Sequence, residues 1–432
     1  MGRDHPGVAP TFDRSAVAGT DDPGKLARAA AHIPVVPSLD GFRAAAVIGI
    51  LLWHCWGRSG NSSGEGLGRL AAGVFPSSIY VLFIISGFVM FLPTAARGRF
   101  GSVRAYALRR IARIAPAYYL SLVIVLAIFP TLVPPDVPIP DPSAANVLAH
   151  FGFVFQPLRI FEPGTYPAGF GVNGPVWTLS VEALFYAVLP LVAVPFFRRP
   201  LVGLAVAFGI AVLWRLLASD LQPAVFVNQL PFWTGAIAVG IAAAWAFVRI
   251  SRGPHHARAR MLAVPVQACA LAALVVLAWI AGGQAEGGDA ETYIAAQRSI
   301  PISTAFPLVL GTFMLATAFA SGVTSRPFTN RPMRWVGDRS YGVYVIHYVV
   351  MTFAAFELGV AAQRGGLLEF AKWVAIVLPP SLLYGWASYQ LVELPARRWA
   401  RRVSRRWRQP PVATEPVLAG APAAMTSERS DR

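Results

Sequence analysis

The chain has 432 residues, 55% of them apolar and only 13% charged, with 37 Lys and Arg against 21 Asp and Glu for a formal charge of +16. A soluble domain of this size needs far more charged surface, so the composition selects a polytopic membrane protein. The Arg excess sits in alternate loops, a pattern that sets membrane orientation and argues against nucleic acid as a partner.

Residues 1–37 hold Pro, Asp, Arg and Gly without an apolar run, and are expected to form a disordered cytoplasmic tail, not a signal peptide. Apolar runs of about 17–22 residues then predict an all-α transmembrane domain over 38–396 with about ten membrane helices. These lie at Leu39–Trp56, Gly73–Pro93, Ala115–Val133, Pro175–Phe197, Leu201–Ala218, Leu230–Phe247, Met261–Ala281, Ile302–Ser321, Ser340–Val360 and Trp373–Val392. Loops after the second, sixth and eighth spans carry Arg97, Arg99, Arg104, Arg249, Arg252, Arg258, Arg326, Arg331 and Arg334. The intervening loops carry Asp136, Asp141, Glu162, Asp220, Glu286, Asp289 and Glu291 with few cations. By the positive-inside rule both termini are cytoplasmic, which requires an even number of spans. Residues 397–432 read as a basic helix on the membrane surface, Arg397 to Arg408, followed by a disordered Ala/Pro/Ser end. Such a cluster chiefly fixes topology.

The first span carries Arg43 at its start and His54 near its end. Eleven positions at about 100° each return to within roughly 20°, so both side chains share one helix face, about 16 Å apart along the axis. Ionisable groups inside a membrane helix are costly and mark a pathway or an active site. Cys55 points about 100° away from His54 and reads as a small buried apolar side chain; with Cys269 in another span, a disulfide or a thiolate metal site is not expected.

At the cytoplasmic start of the third span, Arg110 and Arg113 are three apart and share a face. Two guanidiniums so placed can hold a phosphate through bidentate bonds, or can serve as further positive-inside residues. The fourth span opens Asn173-Gly174-Pro175, an N-cap candidate followed by Pro in the first turn, and places Glu182 about two turns inside. A carboxylate at that depth needs a partner. His54, if its helix runs outward from Arg43, is one candidate, and a structural pairing with Arg215 is another. In the ninth span His347 lies among Tyr341, Tyr344 and Tyr348 and reads as a hydrogen-bonded helix contact. No Walker A run, HExxH, Gly-x-Ser-x-Gly or paired Cys set occurs, so nucleotide and metal chemistry lose support.

By themselves these residues fit two classes. One is an enzyme; the other is a proton-coupled secondary transporter or flippase with His54, Glu182 and His347 as a relay, against which no pair of Gly/Pro-broken spans is visible in two related halves. A lipid-linked glycosyltransferase would place a catalytic carboxylate in the first outer loop, where only Glu65 stands.

Together the islands resemble the acyltransferase-3 family of integral membrane O-acyltransferases. The match runs through Ser38-Leu39-Asp40-Gly41-Phe42-Arg43 with His54, Ile84-Ile85-Ser86-Gly87-Phe88, Arg110-x-x-Arg113 and Pro175-x-Trp177-x-Leu-Ser180-Val-Glu182-x-x-Phe-Tyr186. It continues with Gly337-x-x-Ser340-Tyr341-x-x-Tyr344-x-x-His347 and Val392-Glu393-x-Pro395-x-Arg397-Arg398. The resemblance implies transfer of an acyl group, commonly acetyl, from acyl-CoA to a hydroxyl on a carbohydrate or other acceptor, in the cell membrane and without a metal. It implies His54 as the base, Arg43, Arg110 and Arg113 as holders of the CoA phosphates, and Glu182 as a group that orients His54 or binds acceptor hydroxyls. Candidate acceptors are a surface polysaccharide, a peptidoglycan sugar or a glycosylated natural product. Longer family members carry an extracytoplasmic SGNH-type domain after the last span. Here only about two dozen residues follow Arg408, too few for a domain, so an acceptor that needs one would have to meet it on another protein.

Overall fold

Each predicted apolar run becomes a long helix in the computed structural model, which describes residues 33–61, 66–133, 139, 141–218, 221, 223–284, 299–358, 360 and 365–407. The helices are α1 (Ser38–Arg58), α2 (Leu67–Arg97), α3 (Val103–Leu132), α4 (Trp177–Arg198), α5 (Pro200–Leu217) and α6 (Leu230–Arg252). Then follow α7 (His256–Gln284), α8 (Ile300–Phe319), α9 (Arg331–Phe356), α10 (Leu367–Ser388) and, after a π-helical turn at Tyr389–Glu393, α11 (Leu394–Arg405). No strand occurs among the described residues. Most of the N-terminal tail, the chain from Arg408 on, and Glu65, Asp136, Asp220, Glu286, Asp289 and Glu291 lie outside the described residues.

Among the described residues nine helices are long and apolar enough to cross a membrane. The remaining predicted span, Ser340–Val360, the ninth in chain order, falls on α9, which is 26 residues long but more polar. Its polar side chains point inward: Ser340, Tyr341, Tyr344, His347 and Thr352 are all buried. Hydropathy therefore undercounts this span for the reason that makes it interesting.

The predicted boundaries differ most at α3, which starts twelve residues before the predicted Ala115. Ser102 caps it by accepting the Ala105 N–H at 3.3 Å. Arg104, Arg109, Arg110 and Arg113 consequently ride on one rigid helix. Asn173, by contrast, stands at the N-cap position of the short 3-10 turn Gly174–Val176 that leads into α4 but makes no side-chain capping bond. Its side-chain amide donates to the Val345 carbonyl of α9 at 2.8 Å, tying the start of α4 to the middle of α9.

Burial sorts the helices into an inner and an outer set. Within their most apolar windows α2 and α6 are 72% buried, whereas α5 is 11% and α7 22% buried. Leu201, Val206, Leu213, Leu216 and Leu217 on α5 face outward, as expected of a helix against lipid. Inner helices approach closely where side chains are missing. A Cβ on Gly87 of α2 would lie 2.1 Å from the Ile237 carbonyl oxygen of α6, and one on Gly240 of α6 2.0 Å from that of Ile84. Close backbone approach through small residues replaces the hydrophobic drive that lipid does not supply. The same device joins α1 and α9, where a Cβ on Gly337 would lie 2.0 Å from the Asp40 carbonyl oxygen.

Candidate active site

Four of the five predicted site residues line one pocket of about 290 Å³: Arg43 on α1, Arg110 and Arg113 on α3, and Glu182 on α4. Its polar wall also includes Ser86 of α2, Thr178 and Tyr186 of α4, Ser340, Tyr341 and Tyr344 of α9, and Arg109, Arg397 and Arg401. Two of these cations come from α11, the segment expected to lie on the membrane surface and fix topology. Their signal was present in the spacing. Glu393, Arg397 and Arg401 repeat every four residues and share one helix face, separate from Arg398 and Arg402.

The guanidiniums are held in different ways. Arg43 donates to Asp40 one turn earlier at 2.6 Å. Arg113 donates to Glu393 at 3.0 Å, and that carboxylate is only 1% exposed. Arg110 lies over two rings, Tyr106 and Tyr186, with 5.9 Å to each centroid, and its Nε is buried without a hydrogen-bond partner. Arg109 reaches Ser404 of α11 at 3.2 Å, which docks the basic helix on α3. Glu182 is the one carboxylate in the lining, against six Arg side chains. Such a surplus of planar cations favours a multiply charged anion, above all phosphate.

Glu182 Oε1 accepts hydrogen bonds from Ser86 Oγ at 2.9 Å and from the Tyr186 hydroxyl. The Tyr186 carbonyl in turn accepts from Tyr106 at 3.2 Å. Arg215 is engaged elsewhere: it donates to the Ala211 carbonyl at 2.9 Å and lies 3.9 Å over the Phe232 ring. The partners expected for Glu182 are thus replaced by hydroxyls from α2 and from its own helix.

His54 is not part of this lining. It sits farther along α1, half-buried, with its ring 5.5 Å from that of His347 and edge-on to Tyr348 at 5.0 Å. His347 is fully buried, and its Nδ1 lies 2.7 Å from the Tyr344 carbonyl. One helical turn beyond His54, Arg58 is held by the rings of Phe356 and Trp373 at 6.0 and 5.6 Å. Both cysteines are free, Cys55 buried and Cys269 exposed. Among the described residues no group of three or more His, Cys, Asp and Glu side chains is placed to hold a metal ion.

The segment between α3 and α4 folds over this end of the bundle around His150. Its Nδ1 donates to the Asn146 carbonyl at 2.9 Å, and its Nε2 accepts the Gly169 N–H at 3.1 Å. The ring stacks on Phe155 at 4.0 Å. Gly169 and Phe170 are both left-handed, with φ of 52° and 59°, so the turn they form needs this anchor. Burial pushes the His150 pKa down to about 4, with the Asn146 and Pro167 carbonyls opposing the shift and Arg159 adding to it. The unfolded segment binds a proton near pH 6.5, so the segment has full stability above that pH and loses it as pH falls toward 4, by about 3 kcal/mol in all. Protection factors of amides 150–173, the observed exchange rates referred to the intrinsic rate at each pH, should fall over that interval, and His150→Gln should remove the step. Protection factors that are equal at pH 7 and pH 4 would refute the anchor.

A family model described as an acyltransferase domain matches residues 36–386. Peptidoglycan O-acetyltransferase OatA of Listeria monocytogenes is 24% identical over 384 residues, covering 84% of this chain and 56% of that protein. YrhL of Bacillus subtilis is 24% identical over 395 residues, covering 87% and 57%, and O-acetyltransferase OatA of Staphylococcus aureus 22% over 377 residues, covering 84% and 57%. This chain therefore spans little more than half the length of these relatives. No solved structure matches it. With the family model covering most of the helical bundle and every residue of the pocket except those on α11, the chain belongs to the acyltransferase-3 family of multi-pass membrane proteins.

Proposed function

We propose that this protein is a membrane O-acyltransferase that moves an acetyl group from acetyl-CoA to a hydroxyl of a carbohydrate or glycosylated acceptor. The observation that carries the reading is the set of six Arg side chains from α1, α3 and α11 around one pocket. CoA presents a diphosphate and a third phosphate, and clustered guanidiniums suit that charge. The names of the relatives support the acetyl group and a carbohydrate acceptor such as a peptidoglycan sugar. By the loop charges, the Arg pocket opens on the cytoplasmic side, where CoA is found.

On this reading the phosphates bind at Arg43, Arg110, Arg113, Arg397 and Arg401, and the flexible pantetheine arm runs along α1 toward His54. The His54 imidazole takes the proton of the acceptor hydroxyl as its oxygen bonds to the acyl carbon. The carbon–sulfur bond then breaks, and the departing thiolate takes a proton back from the imidazolium. Glu182, with its hydroxyl partners, lies on the pocket side of this path and is assigned to the donor end. Residues 38–396 form the transmembrane catalytic domain, completed by the first turns of α11.

Purified protein in liposomes, supplied with labelled acetyl-CoA and muropeptide or polysaccharide acceptors, should transfer label to the sugar. Acceptor flux without CoA and with no labelled product would replace this reading with transport.

A further inference from the structure

The proposed base has a neighbour that the reaction as written leaves unused. His347 is 0% exposed in the middle of α9. Its Nδ1 faces the Tyr344 carbonyl at 2.7 Å, and a carbonyl only accepts, so that nitrogen carries the hydrogen. The lone pair is therefore on Nε2, which is buried without a hydrogen-bond partner. A buried acceptor without a partner is costly and is usually retained for a reason. The His54 ring lies 5.5 Å away, centroid to centroid, tilted by 33°. Tyr348 also packs on His54, nearly perpendicular to it with centroids 5.0 Å apart, and Asn173 holds the α9 backbone at Val345, two residues before His347.

We propose that His347 is the positioning residue for His54: its Nε2 accepts the N–H of one His54 nitrogen and so leaves the lone pair of the other directed at the acceptor hydroxyl. The proposal rests on the acyl-transfer reading with His54 as base. In a neutral imidazole only one nitrogen is basic, and a fixed acceptor on one side selects which. When His54 takes the acceptor proton, both its nitrogens carry hydrogens. The one facing His347 stays hydrogen-bonded, which stabilises the imidazolium without a proton passing to His347. The proton returns from His54 to the leaving thiolate, so His347 begins and ends each turnover unchanged. This is the logic by which a catalytic base is oriented by a third group, with an imidazole in the place more often filled by a carboxylate.

The test compares wild type with His347→Phe, His347→Gln, His54→Ala and the His54→Ala/His347→Phe double variant in the acetyl-CoA assay, with CoA binding measured separately. Phe keeps the ring and its packing but has no acceptor; Gln keeps an acceptor near the Nε2 position. Expected is a fall in kcat of about 10²-fold in the Phe variant, with CoA affinity unchanged and a substantial part of kcat restored in the Gln variant. The double variant should be no slower than His54→Ala alone, because a positioning group has nothing left to position. Wild-type kcat in the Phe variant, or independent losses that multiply in the double variant, would overturn the proposal. So would parallel loss of CoA binding in both His347 variants, which marks a structural residue. Full transfer by His54→Ala would remove the assignment of the base, and His347's role with it. No transfer by wild type would remove the acyl-transfer reading itself.

Discussion

Replacing His54 with Ala is expected to slow acetyl transfer by about 10²–10⁴-fold, the usual worth of a positioned general base. Acetyl-CoA should still bind, because the phosphate pocket is lined by other residues and His54 stands outside it. The expected signature is thus a loss in kcat with little change in the donor's KM. Measured at saturating acetyl-CoA, transfer by the variant at the wild-type rate would end the assignment of His54 as base. A variant that no longer bound CoA would instead point to a collapse of α1 against α9.

Arg110→Ala and Arg113→Ala are expected to weaken acetyl-CoA binding by about tenfold to a hundredfold each, since hydrogen bonds to charged groups contribute about 1.5–3 kcal/mol. The two differ in what they leave behind. Arg113→Ala removes the ion-pair partner of Glu393, which is 1% exposed, and breaking a buried pair from one side destabilises by about 3–5 kcal/mol. Arg110 is held by the faces of Tyr106 and Tyr186, so its loss strands no ion. Arg110→Ala should therefore lower CoA affinity while leaving thermal stability close to wild type, and Arg113→Ala should lower both. CoA titration alongside thermal unfolding separates these outcomes. If acceptor affinity fell as much as CoA affinity in the Arg110 variant, the pair would have a structural role and not a phosphate-binding one.

The helical architecture was legible because membrane spans are set by length and apolarity, which are local properties. The shared face of Arg43 and His54 was legible for the same reason, as was that of Arg110 and Arg113. Contacts between helices were not. Glu182 was expected beside His54 or Arg215, and its bonds to Ser86 and Tyr186 depend on how α2 packs on α4. His347 read as a hydrogen-bonded helix contact because it stands among Tyr341, Tyr344 and Tyr348; the approach of α1 gives it a second imidazole as neighbour. Arg397 and Arg401 were hidden differently. In a stretch where every turn is basic, composition explains the charge before function is asked about; the spacing groups Arg397 with Arg401, and the docking of α11 on α3 shows that this is the row that faces the pocket.

The packing of α1 against α9 has a mechanical consequence. At one end Gly337 admits the Asp40 backbone, the residue that holds Arg43. At the other end His54 meets His347 and Tyr348. The two helices are clamped at both ends, and an α-helix barely stretches, so the interval from Arg43 to His54 behaves as a rigid ruler of about 16 Å. All slack in matching a ligand to that ruler must then come from the ligand.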